Sequence, residues 1–136
     1  MSLKEFWKTY KRCQRQKKSG LPFPTLTKLR GVKSKDRQGA LAQSECGDRL
    51  QCVHVALPDY PYNTYVYSIS LNRVLGYLDK ELAEKLVYVF GKDFCLDGEI
   101  DNIIGGPPMK YRGALIRVFD NNVFMKNAEI ASLKEP

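Results

Sequence analysis

Between Leu3 and Cys13 the apolar positions are Leu3, Phe6, Trp7, Tyr10 and Cys13, spaced three or four residues apart, with lysines and arginines filling most of the gaps. That period marks a helix with one apolar face, so residues 3–18 are predicted to form a basic amphipathic helix. Ser19-Gly20 ends it. The following Leu-Pro-Phe-Pro (21–24) is a stiff connector, because each proline fixes its own φ and restricts the residue before it. The aromatic stripe of this arm is expected to pack on the main domain; a membrane-surface helix is disfavoured because the stripe is short.

From Thr25 the period changes to two. Residues 25–32 read as a strand, and 49–57 alternate Val53, Val55 and Leu57 against Cys52, His54 and Ala56. After a Pro/Asp loop, strand 64–71 follows, then a turn at Asn72-Arg73 and a return strand over 74–78. Asp79 is placed to cap a helix over 79–90, with Leu82, Ala83, Leu86, Val89 and Phe90 on one face and Gly91 as its stop. Residues 94–104 and 113–119 read as two more strands joined by Gly-Gly-Pro-Pro-Met-Lys-Tyr-Arg; Asp120-Asn121-Asn122 reads as a turn, with one further short strand beyond it. Short strands with one central helix predict a mostly β fold, a small modified OB-like or SH3-like barrel over 25–136, preceded by the arm and connector over 1–24. Its core is expected around Val53, Val55, Val66, Leu75, Leu86, Ile116 and Val118.

Charge changes this picture at one end. The net charge is +7, yet residues 1–37 hold twelve Lys and Arg against Glu5 and Asp36, a balance of +10, and the remainder balances at −3. A concentrated basic arm is an electrostatic footprint for phosphate, or a solubilising tail. No run approaches ~18 apolar residues and no apolar leader opens the chain, so a cytoplasmic protein is expected, nucleoid-associated if bacterial. The four cysteines, Cys13, Cys46, Cys52 and Cys95, lack metal-knuckle spacing and read as reduced thiols; a zinc site from Cys46, Cys52 and His54 matches no standard pattern.

Catalytic chemistry finds little support. The one histidine, His54, lies mid-strand among apolar residues, and neither a Gly-rich phosphate loop nor a nucleophile elbow is present. Asp97, Glu99 and Asp101 share a strand face, but Mg²⁺-dependent phosphoryl chemistry recruits carboxylates from separate elements, so they read as a solvated face. No enzyme activity, cofactor or metal is expected. The stretch Pro-Asp-Tyr-Pro-Tyr-Asn-Thr-Tyr-Val-Tyr-Ser (58–68) carries four tyrosines. Tyr65 and Tyr67 lie in the strand and are expected to pack; Tyr60 and Tyr62 lie in the loop. With Tyr77 on the return strand and Tyr111 in the Gly-Pro loop, they form a candidate platform for stacking bases. The plain alternative is that the rings plug the barrel ends.

The series Gly-Val (31–32), Arg-Gln-Gly-Ala-Leu (37–41), Gly-Asp-Arg-Leu-Gln-Cys (47–52), Pro-Asp-Tyr-Pro-Tyr-Asn (58–63), 74–86 and 105–118 resembles the HIRAN domain. That domain occurs in DNA-repair helicases of the SWI/SNF type and as stand-alone bacterial proteins. The resemblance implies a modified OB-like barrel that binds single-stranded DNA, in its best-known members at a free 3′ end, in DNA repair or replication. It implies DNA contacts from Tyr62 and Tyr77, with Asn63 at a position where the family commonly has an acid that meets the terminal hydroxyl. An amide both accepts and donates, which bears on strict 3′-end selectivity. Lys33, Arg37 and Gln38 are candidate contacts after the first strand, beside Tyr60 and Tyr111. The alternative function is a protein-interaction or scaffold domain on the same fold, with a partner or a second copy docking through the arm.

Overall fold

The computed structural model describes residues 2–122. Six strands form one antiparallel sheet: β1 (Thr25–Lys28), β2 (Arg49–His54), β3 (Thr64–Ser68), β4 (Arg73–Tyr77), β5 (Cys95–Gly105) and β6 (Arg112–Asn122), in the order β1-β6-β5-β2-β3-β4. Three helices accompany it: α1 (Leu3–Ser19), α2 (Lys35–Ala42) and α3 (Lys80–Phe90). No helix among the described residues is long and apolar enough to cross a membrane.

The sheet is not closed by a ladder. Its outer strands approach at one isolated bridge, where the Arg30 N–H donates to the Tyr77 carbonyl at 2.9 Å and the Tyr77 N–H donates to the Arg30 carbonyl at 3.0 Å. One residue earlier, the Leu29 N–H donates to the Ala114 carbonyl of β6. Gly76 allows this approach: a Cβ there would lie 2.3 Å from the Arg30 carbonyl oxygen and 3.0 Å from Leu29 Cγ. Gly76→Ala is expected to push Leu29 and Arg30 off β4 and destabilise the fold by about 1–3 kcal/mol, read as a lower midpoint of urea unfolding.

Both faces of the sheet are covered near β2. Leu50, Cys52, Val66, Leu75, Leu96, Ile116 and Val118 meet Ala40 and Leu41 of α2 and Leu82, Ala83 and Leu86 of α3 in the main core. Val53 and Val55 do not join that core. They project to the opposite face, where with Tyr65 and Cys95 they make a second, smaller cluster flanked by Tyr67 and Val74. The pleat requires this, since neighbouring residues of a strand point to opposite faces; Cys52 and Val53 cannot share a core.

The helix over Lys80–Phe90 is capped as expected, Asp79 accepting from the Glu81 N–H, and Gly91 stops it at φ +84°, a conformation that favours glycine. Two expectations are corrected here. The strand from Thr25 is shorter, because Gly31 turns the chain at φ +67° and Ser34 then caps α2, an eight-residue helix with only Ala40 and Leu41 buried. Asp120, Asn121 and Asn122 continue β6 and make no turn there; the register pairs Asn122 with Leu96 of β5. The short strand expected further on lies outside the described residues.

The arm docks the other way round from expectation. Arg15 donates from Nε and Nη2 to the Val89 carbonyl at 3.2 and 3.1 Å, and the Arg12 guanidinium lies 5.8 Å from the Phe90 ring centroid. Leu3, Phe6, Trp7 and Tyr10 are each about half exposed or more. At about 100° per residue they fall on the side of the helix opposite Arg12 and Arg15. The arginines win the docking face because α3 ends there with an unpaired last-turn carbonyl, which a guanidinium satisfies and an aromatic ring does not.

Candidate nucleic-acid interface

The turn Gly31–Lys33 follows directly from the bridge between Arg30 and Tyr77. With no side chain, Gly31 leaves room for the Tyr77 ring: a Cβ there would lie 2.1 Å from Tyr77 Cε1. Arg37, on the first turn of α2, reaches back. Its Nη1 donates to the Gly31 carbonyl at 2.7 Å, and its guanidinium carbon lies 5.9 Å from the Tyr77 ring centroid. Tyr60 joins them, its ring centroid 6.4 Å from that of Tyr77 with the planes inclined at 55°. The turn that holds Tyr60 is closed by paired backbone bonds between Leu57 and Tyr60.

The Tyr60 hydroxyl is buried and has no hydrogen-bond partner among the described residues. Burial, then Asp79, then Tyr77 raise its pKa above the usual phenol value, so it stays a neutral O–H donor. Asp79 also lies 3.7 Å from Arg30, a largely exposed pair of small energetic weight.

A second group sits beyond the same turn. Lys33 Nζ lies 5.5 Å, and Lys110 Nζ 5.3 Å, from the centroid of the exposed Tyr111 ring at the tip of the β5–β6 hairpin. Gln38 connects the halves from behind. Its amide donates to the Val32 and Arg112 carbonyls at 2.7 and 2.9 Å and accepts the Arg112 N–H at 2.9 Å, which fixes the loop end of that hairpin to α2. Two sets of cations over aromatic rings therefore flank one turn. Such pairs can stack on a flat ligand while neutralising phosphate.

No family model, curated protein or solved structure matches the chain.

Of the residues expected at the site, the structure brings together Tyr60, Tyr77 and Arg37 in one group and Lys33 and Tyr111 in the other, with Gln38 as the tie. Tyr62 and Asn63 are placed differently. The Tyr62 ring is partly buried against the main core, and Asn63 is buried, its amide donating to the Val55 carbonyl at 3.2 Å while the Val55 N–H donates to the Asn63 carbonyl. Arg30 and Lys110 were not singled out from sequence. Their signals were modest: a cation at the run-out of the first strand, and a cation beside Tyr111 in the Gly-Pro loop.

The other chemistry-bearing residues are accounted for locally. His54 is 2% exposed. Its Nδ1 accepts the Asp93 N–H at 2.8 Å, so Nε2 carries the proton and donates to the Pro61 carbonyl at 2.8 Å. Both ring nitrogens are thus engaged by backbone. Arg117 bridges Glu99, at 2.7 Å, and Asp101, while Arg49 lies 3.7 Å from Asp97, so the acidic face of β5 is matched by arginines of β6 and β2. Cys52 lies in the main core, where burial pushes its thiol pKa far up, and Cys46 donates instead to the Asp101 carbonyl on the exposed surface. Cys46, Cys52 and His54 each have separate surroundings.

Proposed function

We propose that the protein is a HIRAN-type, single-stranded-DNA-binding module without catalysis of its own, acting in the cytoplasm in DNA repair or replication. The observation that carries this reading is the pair of cation–aromatic groups, Arg37 with Tyr77 and Tyr60, and Lys33 and Lys110 with Tyr111, on either side of the Gly31–Lys33 turn. The meeting of the sheet's outer strands at Arg30 and Tyr77 favours reading it as a small modified OB-like barrel, the kind that carries strands of nucleic acid across one face. In this reading Tyr77 and Tyr111 offer faces to bases, Tyr60 braces the Tyr77 ring, and Arg30, Lys33 and Lys110 neutralise the backbone. Tyr62 and Asn63 hold the loop behind Tyr60.

Fluorescence anisotropy tests it, with labelled single strands carrying free or blocked 3′ ends beside a blunt duplex. Single strands are expected to bind more tightly than the duplex, with affinity falling steeply between about 50 and 200 mM salt as condensed counterions are released. Preference for the free 3′ end would assign the end-recognition property as well. Equal binding of single strand and duplex, or no binding, would sink the proposal.

One observation favours a second reading. The exposed stripe of Leu3, Phe6, Trp7 and Tyr10 faces away from α3, and a protein partner docking there would make this an interaction domain. Such binding would be insensitive to salt and lost on Trp7→Ala.

A further inference from the structure

We infer that the seam between α1 and α3 is a binding site for a phosphate-bearing ligand with two adjacent phosphate groups, separate from the aromatic interface. A cleft of about 420 Å³ opens there, lined by Lys8, Thr9, Lys11, Arg12, Arg15 and Phe90. Four cations and a hydroxyl line it, and no carboxylate does. None of the four cations is in an ion pair among the described residues, whereas Arg30, Arg49 and Arg117 of the β-rich body each lie beside an acid.

Two details make this more than a solvated charged face. The Arg12 Nε is buried and has no hydrogen-bond partner among the described residues, although the same guanidinium is held over the Phe90 ring. A buried donor left unmatched is uncommon and calls for an acceptor, and this one belongs to a residue that lines the cationic cleft. Arg15 is pinned by the Val89 carbonyl through Nε and Nη2, so part of the positive charge is fixed in place before any ligand arrives. Holding four like charges together in the absence of an anion costs energy; two neighbouring phosphates reverse that sign, accepting from guanidinium and ammonium donors in charge-assisted bonds.

Phosphate pairs of this kind come from two sources, a free di- or triphosphate compound or consecutive phosphates of a nucleic-acid strand. Calorimetric titration of the full chain with inorganic pyrophosphate tests the site directly. Saturable one-to-one binding is expected, weakened about tenfold or more by Lys8→Ala with Lys11→Ala, both exposed and free of core packing. Lys4→Ala with Lys18→Ala removes the same charge from the same helix away from the cleft lining, and should change binding less than about twofold if local donors and not net charge decide it. Absence of pyrophosphate binding, or equal loss in both double variants, would overturn the inference. Displacement of pyrophosphate by a single strand of about twelve nucleotides would name the strand backbone as the source. Simultaneous binding of both would name a free phosphate compound. Because the aromatic interface is read by Tyr77 variants and the cleft by Lys8 and Lys11 variants, failure of one proposal leaves the other standing.

Discussion

Tyr77→Ala is expected to weaken single-strand binding by roughly 5- to 150-fold, the equivalent of losing one stacked base at ~1–3 kcal/mol. The ring lies against Gly31, faces Tyr60 at 6.4 Å and has Arg37 at 5.9 Å, so it is the contact shared by the whole first group. Its removal takes away the stacking face and also the surface over which Arg37 is held. The fold should survive, because the bridge to Arg30 is made by backbone atoms that alanine retains, and the ring belongs to neither core cluster. Tyr65→Ala provides the contrast. That side chain is 4% exposed in the second cluster, and its loss should lower stability by about 3–5 kcal/mol, as for other large buried aromatics. Anisotropy on variants verified as folded by circular dichroism separates the two effects. Unchanged affinity in folded Tyr77→Ala would leave the tyrosines as packing residues and remove the proposed site.

A large effect on stability is expected from His54→Ala, about 2–4 kcal/mol, read from urea unfolding. One imidazole here ties together two loops at the adjoining ends of β2 and β5: the Pro61 carbonyl in the tyrosine loop and the Asp93 N–H between α3 and β5. It also stacks on Phe94, with ring centroids 5.7 Å apart and planes 18° from parallel. Alanine would remove both part-buried hydrogen bonds, to the Asp93 N–H and the Pro61 carbonyl, and leave a cavity over Phe94. Amide exchange at Tyr60 and Asn63 should accelerate in the same variant, since their turn loses its tether. A loss below about 0.5 kcal/mol, within the range of ordinary surface substitutions, would mean that water replaces the imidazole without penalty.

Much of the secondary structure was legible along the chain because it is written in local period and local chemistry. Residues at a spacing of three or four marked α1 and α3, Asp79 and Gly91 marked the ends of the second of these, and alternation marked β2 to β6 to within a few residues. The helix over Lys35–Ala42 escaped because it is short, contains Gly39 and buries only two side chains, so its period is weak; its one clear sign was Ser34 as a cap. Site residues were legible to the extent that they announce themselves by type: tyrosines in loops and cations beside them. Their grouping was not, because it depends on partners distant in the chain. Tyr77 meets Arg37 and Gly31 only because the outer strands come together, and Gln38 meets Arg112 across 74 positions.

The direction each face took was likewise a tertiary decision. Amphipathicity identified the apolar stripe of α1, but the free carbonyl of Val89 and the ring of Phe90 drew its arginines inward and left Trp7 facing out. Alternation in β2 separated Cys52 from Val53, yet only the sheet's two covered faces determined that both would be buried. A local pattern specifies which side chains lie together on one side of an element. What that side meets is set by which other elements can satisfy its hydrogen bonds and exclude water from it, and that information is spread over the whole chain.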